Sequence, residues 1–571
     1  MKKSLSKNIL VILLVTLISF SIYTIIPILI KKFSFLNHII IAFYLEQLKH
    51  IILLLPVAVI LYFIAPLRKI LDYKNPIMKI KEPHFLIGIV LLSLLAANLI
   101  SWKCYNHYPK EDDTAVYKQA QIFLTGKRWV PSQVYPEFFD GFNMINNNGR
   151  FFSMPAPGHP FLLLLGFLIK APWIICPLIG ALLLLVLYFL LKNLYTPFTA
   201  RTGAVFLLLS PAFLFFSASF LNQNSSTLFS LLGLFLIIKL FNKKSQWYLA
   251  LLSGFVISIA FLSRPTLPFA FFLSSLIFII IMEHKKQLNK GMAVLFVTGF
   301  LPLLVFQLYD NFTLTGHPLH YGYSLCEFAK LNIAGFGTDI GSLSVNMEGH
   351  SLLKAIVNLM YNVFTISLHL FGWPLLSLVF VALWICKSKK TGFEWIFMGI
   401  IGLSIIFMGF FWAHGNTPTG PHYYYEIIPL LVIITAVKLE SLAKPNIRAV
   451  VTLLFLIGIF SYIPNATKVF KVWGTNNNCY NEVTNRNIHN AIVFIKDPVG
   501  SDEKTVTLRR YNYLSVICRN DAIIENSDIL YAEDLESKNN AKLIKLYTNR
   551  KIYLFEYLNN GNNWQVVPYT H

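Results

Sequence analysis

Two adjacent carboxylates, Asp112 and Asp113, stand in KEDDTAVYKQAQIFL just beyond an apolar run, with Tyr117 following on the same stretch. Paired carboxylates near a low-dielectric boundary resist ionising together, so each raises the other's pKa, which is how a general base is tuned. The pair equally suits the N-cap of the helix that follows, since an Asp side chain accepts from unpaired backbone N–H groups. In GRFFSMPAPGHPFLLLLG, Pro155, Pro157 and Pro160 stiffen the chain around His159, and Gly158 permits close backbone approach. His159 could touch a phosphate or cap a helix. Arg264, in FLSRPTLPF, stands at the end of an apolar run and calls for an anionic partner. A lipid phosphate is one candidate and a carboxylate from a neighbouring loop is the plainer one. GPHYYYEIIPLL gathers His422, Tyr423 and Glu426 at the mouth of another run. Tyrosines there fit an interfacial belt, an explanation that covers neither His422 nor Glu426. Together these residues suit proton abstraction from an acceptor and stabilisation of a departing phosphate.

The elements that must position them are membrane helices. Of 571 residues, 56% are hydrophobic, 15% aromatic and only 13% charged. The apolar runs, of about 17–25 residues, have the length that crosses a bilayer as a helix. The net charge of +21 would point to nucleic acid on a soluble domain. Here most lysines fall in short loops between apolar runs, so the charge reads as topology, with some attraction to anionic head groups of membrane lipids, and nucleic acid is excluded. Lys2, Lys3 and Lys7 precede an apolar run from Ile9 to Ile30, too long for a cleaved signal and without a small-residue cleavage site; it reads as a signal anchor. Glycine-rich nucleotide loops, HExxH and CxxC are absent, so no cofactor is indicated, and a divalent cation held by outer-loop carboxylates is the one metal left open.

With the amino terminus inside, the dense cationic clusters fall on one side: Arg68 to Lys81, Lys192 with Arg201, Lys243 and Lys244, His284 to Lys290, Lys387 to Lys390, and Lys438 to Arg448. The other side receives loops 103–157 and 310–354, the turn Asn222–Ser226, Arg264, and His414 to Glu426. This pattern predicts an all-α polytopic membrane protein of about thirteen transmembrane helices. Residues 1–84 form additional N-terminal helices, 85–463 the transmembrane catalytic domain, and 464–571 a small extracytoplasmic α/β domain of a size that folds alone. In that tail, Thr505–Leu508, Ile529–Ala532 and Ile552–Tyr557 read as strands and Asn540–Tyr547 as a helix. Cys479 and Cys518 are its two cysteines, and an oxidising compartment would favour a bond between them over two unpaired thiols.

Taken in order, these segments resemble the GT-C-type integral membrane glycosyltransferases related to dolichyl-phosphate-mannose protein mannosyltransferases, especially the bacterial members. The resemblance runs from about Phe85 to the C-terminus through the acidic pair with Tyr117, GRFFSMPAPGHPFLLLLG, SRP around Arg264, YDNFTLTGHPLHYGY (Tyr309 to Tyr323), GPHYYYE, and the tail segment DILYAEDLESKNNAKLIKLYTNRKIYLFEY. Two departures stand out. The family has Asp-Glu where this chain has Asp112-Asp113-Thr114, so the tyrosine spacing points to Asp113 and the acidic pair itself to Asp112. The family also tends to carry Arg where His422 stands. The resemblance implies a polyprenyl-phosphate sugar as donor and a glycan, lipid or protein as acceptor, at the outer face of a bacterial inner membrane. It implies inverting transfer with Asp113 as general base, Arg264 and His422 on the donor phosphate, and Tyr117, His159, Tyr423 and Glu426 lining the substrate site. A transporter or flippase would need ionisable residues at mid-span in repeated halves, and neither is visible. A non-catalytic assembly partner acting through its tail is the third reading.

Overall fold

The computed structural model describes residues 47, 50, 51, 54 and 56–569, apart from 111, 140, 142, 243–245, 326–349, 374–376, 387–389, 412–414, 418–419, 443, 474–476, 497–514 and 559–562. Two short helices, α1 (Ala65–Ile70) and α2 (Lys74–Lys79), lead into α3 (Glu82–Tyr105). The first loop carries α4 (Asp112–Leu124) and strands β1 (Val130–Pro131), β2 (Met144–Asn147) and β3 (Arg150–Ser153), an antiparallel sheet in the order β1-β3-β2. The membrane body follows as α5 (Gly158–Leu168), α6 (Ile175–Leu194), α7 (Pro197–Leu208), α8 (Pro211–Ala218), α9 (Gln223–Asn242), α10 (Tyr248–Ser263), α11 (Thr266–His284) and α12 (Met292–Thr315). It continues as α13 (Leu352–His369), α14 (Val379–Ile385), α15 (Gly392–Gly409), α16 (Ile428–Leu442) and α17 (Pro445–Trp473), with the small β4 (Asn416–Thr417) and β5 (Gly420–Pro421) before α16.

Among the described residues, 8 helices are long and apolar enough to cross a membrane, or up to 9 if α7 and α8, bent by 60° at their junction, make one broken span. The difference from about thirteen has local causes. Pro211 lacks the N–H that would continue α7. Helices α5, of 11 residues, and α10, of 16, are apolar but short. The two N-terminal runs fall largely outside the described residues.

Glycine sets the closest helix contact. A Cβ at Gly254 on α10 would lie 1.9 Å from the Phe296 carbonyl oxygen, and one at Gly299 on α12 would lie 2.0 Å from that of Leu251. Only hydrogen fits at either position, so the two backbones meet directly, the small-residue solution for helix packing in lipid. This contact lies in the first half of α10, which ends at Ser263, just before Arg264. At the cationic end of the bundle, Arg448 grips Asp72 through Nε and Nη2 at 2.6 and 2.9 Å, and Lys192 pairs with Glu82 at 2.6 Å.

The tail holds α18 (Asn478–Asn485), β6 (Ala491–Lys496), β7 (Ile529–Glu533), α19 (Glu536–Leu546), β8 (Lys551–Leu558) and β9 (Asn563–Pro568). Its sheet runs β7-β6-β8-β9, with β6 parallel to both neighbours and β9 antiparallel to β8. The expected strands at 529 and 552 and the helix near 540 are present, and Thr505–Leu508 lies outside the described residues. The central strand is β6, whose all-apolar AIVFI run is the pattern of a strand buried on both faces.

Three expectations are corrected here. The membrane helix does not end at Pro464: α17 passes through that proline to Trp473. The tail does not complete its own core, because Phe138 and Phe139 from the first loop are buried in it with Val493, Phe494 and Leu530. Cys479 and Cys518 are both free thiols. Cys479 is buried in the tail core, whereas the Cys518 thiol turns away to donate to the Thr114 carbonyl at 3.4 Å.

Candidate active site

Helix α4 begins at the acidic pair, and consecutive helical positions point apart by about 100°, so the two carboxylates meet different surroundings. Asp113 is 2% exposed, and its Oδ2 accepts the backbone N–H of Phe220 at 3.1 Å. The carbonyl of that same residue accepts from His159 Nε2 at 3.0 Å, which fixes the proton of this buried imidazole on Nε2. Asp113 and His159 therefore hold the two peptide groups flanking Phe220 and pin the turn between α8 and α9. Gly158 makes the approach possible, since a Cβ there would strike the backbone of Leu262 and Ser263 at 2.7–2.8 Å. Tyr117 packs its ring among Tyr108, Phe167 and Phe220, with centroids 5.7, 4.7 and 5.4 Å away. These three residues form a scaffold behind the acidic pair.

Asp112 faces the other way. Its side chain is 40% exposed and its Oδ2 lies 4.0 Å from His422 Nδ1. Asn143, entering β2 with a left-handed backbone, donates Nδ2 to Asp112 Oδ1 at 2.5 Å and fixes the carboxylate plane. His422 stands in the turn before α16. Burial, with Arg264 adding to it, holds its imidazole well below the usual histidine range. Neutral and 4.0 Å away, it is a close neighbour of Asp112 and not its ion-pair partner. Tyr423 packs beside it at 5.6 Å between ring centroids.

Arg264 has the plainer of its two expected partners. Nη1 donates to Glu426 Oε1 at 3.1 Å and to the His422 carbonyl at 2.9 Å. Glu426 is fully buried and also accepts from Ser226 Oγ at 3.0 Å. Among the described residues, Nε and Nη2 of Arg264 hold no further hydrogen bond, and its side chain is 16% exposed. A guanidinium steered on one edge and open on the other is a ready oxyanion site.

Three contributors carry no sequence signal in their own neighbourhood. Asn143 lies in an unremarkable loop. The turn 219–226 reads as a simple reversal, yet Phe220 receives Asp113 and His159, Asn222 Nδ2 donates to the Ser263 carbonyl at 3.0 Å, and Ser226 reaches Glu426. Arg128 clasps Asp310 of α12 through Nε at 2.7 Å and Nη2 at 3.0 Å, tying the first loop to the body. The DN pair of YDNFTLTG was the available clue. Among the described residues, no group of three or more His, Cys, Asp or Glu side chains could hold a metal ion. Asp112 and His422 supply two donors, and no third of these types joins them among the described residues.

Residues 158–309 match the family model described as dolichyl-phosphate-mannose-protein mannosyltransferase. That stretch contains His159, the turn 219–226, Arg264 and the α10–α12 contact. No curated protein matches the chain significantly. Among solved structures, the Archaeoglobus fulgidus oligosaccharyltransferase, in complex with zinc and sulfate, is similar at 14% identity and a TM-score of 0.51, covering 82% of this chain and 68% of that one. ArnT from Cupriavidus metallidurans, bound to undecaprenyl phosphate, is similar at 10% identity and a TM-score of 0.49, covering 83% and 94%. By its membrane helices and its fold, the chain is a polytopic membrane protein of GT-C-like architecture, within which residues 158–309 are similar to the dolichyl-phosphate-mannose-protein mannosyltransferases.

Proposed function

We propose that the protein transfers a sugar from a polyprenyl-phosphate donor to an acceptor hydroxyl or amine at the extracytoplasmic face of the membrane, with Asp112 as general base. The observation that carries this reading is the divergence of the acidic pair: Asp113 is buried and accepts the Phe220 N–H, while Asp112 is partly exposed, oriented by Asn143 and set beside His422. The matching family is named for a lipid-phosphate sugar, dolichyl-phosphate mannose. The extracytoplasmic assignment follows the lysine distribution, since the dense cationic clusters lie on the other side.

The chemistry follows from the arrangement. The isoprenoid tail stays in the bilayer and its phosphate and first sugar sit at the interface. Asp112 takes the acceptor proton as the acceptor atom bonds to the anomeric carbon. The bond from that carbon to the phosphate oxygen breaks, and the phosphate departs with the electron pair. Attack opposite the leaving group inverts the anomeric centre through an oxocarbenium-like transition state. The open edge of Arg264 meets the charge that grows on the phosphate, and Glu426 keeps the guanidinium aimed. His422, neutral, offers a hydrogen bond without repelling Arg264.

The test begins with membranes lacking the protein, in which the donor lipid-linked sugar should accumulate. Purified protein should consume that lipid and release free polyprenyl phosphate. Accumulation of no lipid-linked sugar, together with no consumption by the protein, would end the reading.

A further inference from the structure

The strongest unassigned feature is the seam between the tail and α4. Lys118 is 5% exposed, and its ammonium donates to the carbonyls of Asn520 and, at 3.0 Å, Asp521. Arg519 places its guanidinium carbon 3.7 Å from the ring centroids of both Tyr108 and Tyr480, and its Nη2 donates to Asn477 Oδ1 at 3.1 Å. The Cys518 thiol reaches the Thr114 carbonyl, and the Tyr108 hydroxyl reaches the Ser515 carbonyl at 3.5 Å. Ala522 closes the seam in an apolar cluster with Ile122, Val130 and Phe151.

The placement matters more than the number of contacts. Thr114 and Lys118 are four apart and share one face of α4, so the tail grips the first two turns, directly behind Asp112. With 13 residues, α4 is at the margin of independent helix stability, and its position depends on what covers it. A lysine ammonium covered to this degree stays satisfied only while the two tail carbonyls are seated, so a small lift of the tail leaves it unpaired. Arg264, by contrast, hydrogen-bonds only to Glu426 and His422 among the described residues, not to the tail.

We infer that the tail segment Ser515–Asp521 is a positioning element of the transfer site, fixing α4 and thereby the Asp112 carboxylate, with Arg519 and Lys118 as its positioning residues. The inference rests on the reading of Asp112 as general base. It assigns the tail a part in turnover beyond covering the membrane body, and it locates that part in one short segment.

The experiment compares full-length wild type, Arg519→Ala and Arg519→Lys, with Lys118→Met as a second route to the same seam. Two readouts are taken on each protein: maleimide labelling of Cys518, followed by peptide mass spectrometry, and steady-state consumption of the lipid-linked sugar isolated from membranes lacking the protein. Arg519→Ala should label Cys518 about tenfold faster, because the two stacked aromatic contacts are gone. Its kcat should fall by about 10- to 100-fold, the scale of a displacement near 1 Å, while the donor KM stays within about twofold of wild type. Arg519→Lys should fall between, keeping the charge without the planar stack. Rapid Cys518 labelling with wild-type kcat would show that the tail covers α4 without positioning it. A raised donor KM with unchanged kcat would move the seam's role to donor binding and equally overturn the inference. Asp112→Asn, run alongside, separates the two readings. If it is inactive while Arg519→Ala is fully active, only the positioning role fails; if it turns over normally, the assignment of the base fails first.

Discussion

Asp112 and Asp113 are neighbours in sequence with opposite employment in the fold, and the partners that separate them are remote. Asn143 lies 31 residues away and Phe220 lies 107 away, so no local spacing could choose between the two acids. The tyrosine spacing that favoured Asp113 marks the helix face that packs on Tyr108, Phe167 and Phe220, the inward face of α4. Arg264 was legible as a cation in need of a partner, and the partner came from 162 residues further on. Asp113→Ala should leave the buried Phe220 N–H without an acceptor and cost about 1–3 kcal/mol, read as a lower thermal midpoint in detergent. An unchanged midpoint would show that the Phe220 contact is dispensable. Arg264→Lys should raise the donor KM, because a lysine cannot bond Glu426 and a phosphate from two edges of one plane. An unchanged KM in Arg264→Lys and Arg264→Ala would leave this arginine purely structural.

At the level of elements, apolar length was enough to find the long helices, and local patterning was enough to find β7, β8 and the helix between them. Three features escaped for a shared reason: they depend on contacts between distant segments. Helix α17 runs through Pro464, which local propensity reads as a stop, and the tail core borrows Phe138 and Phe139. The tight α10–α12 contact rests on Gly254 and Gly299, which sequence alone gives no reason to pair. Gly299→Ala should force the two helices apart, lowering the thermal midpoint and, by moving the end of α10 at Arg264, raising the donor KM; a normal midpoint would show that α10 can shift at no cost. Lys118 gives a pH prediction. Helix α4 lies outside the membrane spans, and burial lowers the Lys118 ammonium from 10.5 to about 8. Between these values the unfolded chain binds more protons, so stability should rise as pH rises from about 8 toward 10.5. Lys118→Met should flatten that slope in thermal unfolding relative to wild type, and equal slopes would place Lys118 in water.

For the molecule as a whole, composition and apolar length were the most legible layer, because a bilayer constrains length and polarity more tightly than water does. The general fold followed from that layer. The site did not, because it is assembled from the first loop, the α8–α9 turn, the end of α10 and the turn before α16, four segments that only the folded bundle brings together. We propose that this assembly moves a sugar from a lipid phosphate with Asp112 taking the acceptor proton. The direct measurement is single-turnover transfer by purified wild type, Asp112→Asn and Asp113→Asn, each first shown to be monodisperse, using the lipid-linked sugar that accumulates in membranes lacking the protein. Wild type should release polyprenyl phosphate and form a product of inverted anomeric configuration, and Asp112→Asn should be slower by about 100-fold or more, the usual share of a general base. Asp113→Asn, whose amide oxygen can still accept from Phe220, should retain most of the wild-type rate. Wild-type turnover in Asp112→Asn, with Asp113→Asn well folded and inactive, would overturn the role of Asp112 and return the proton to Asp113.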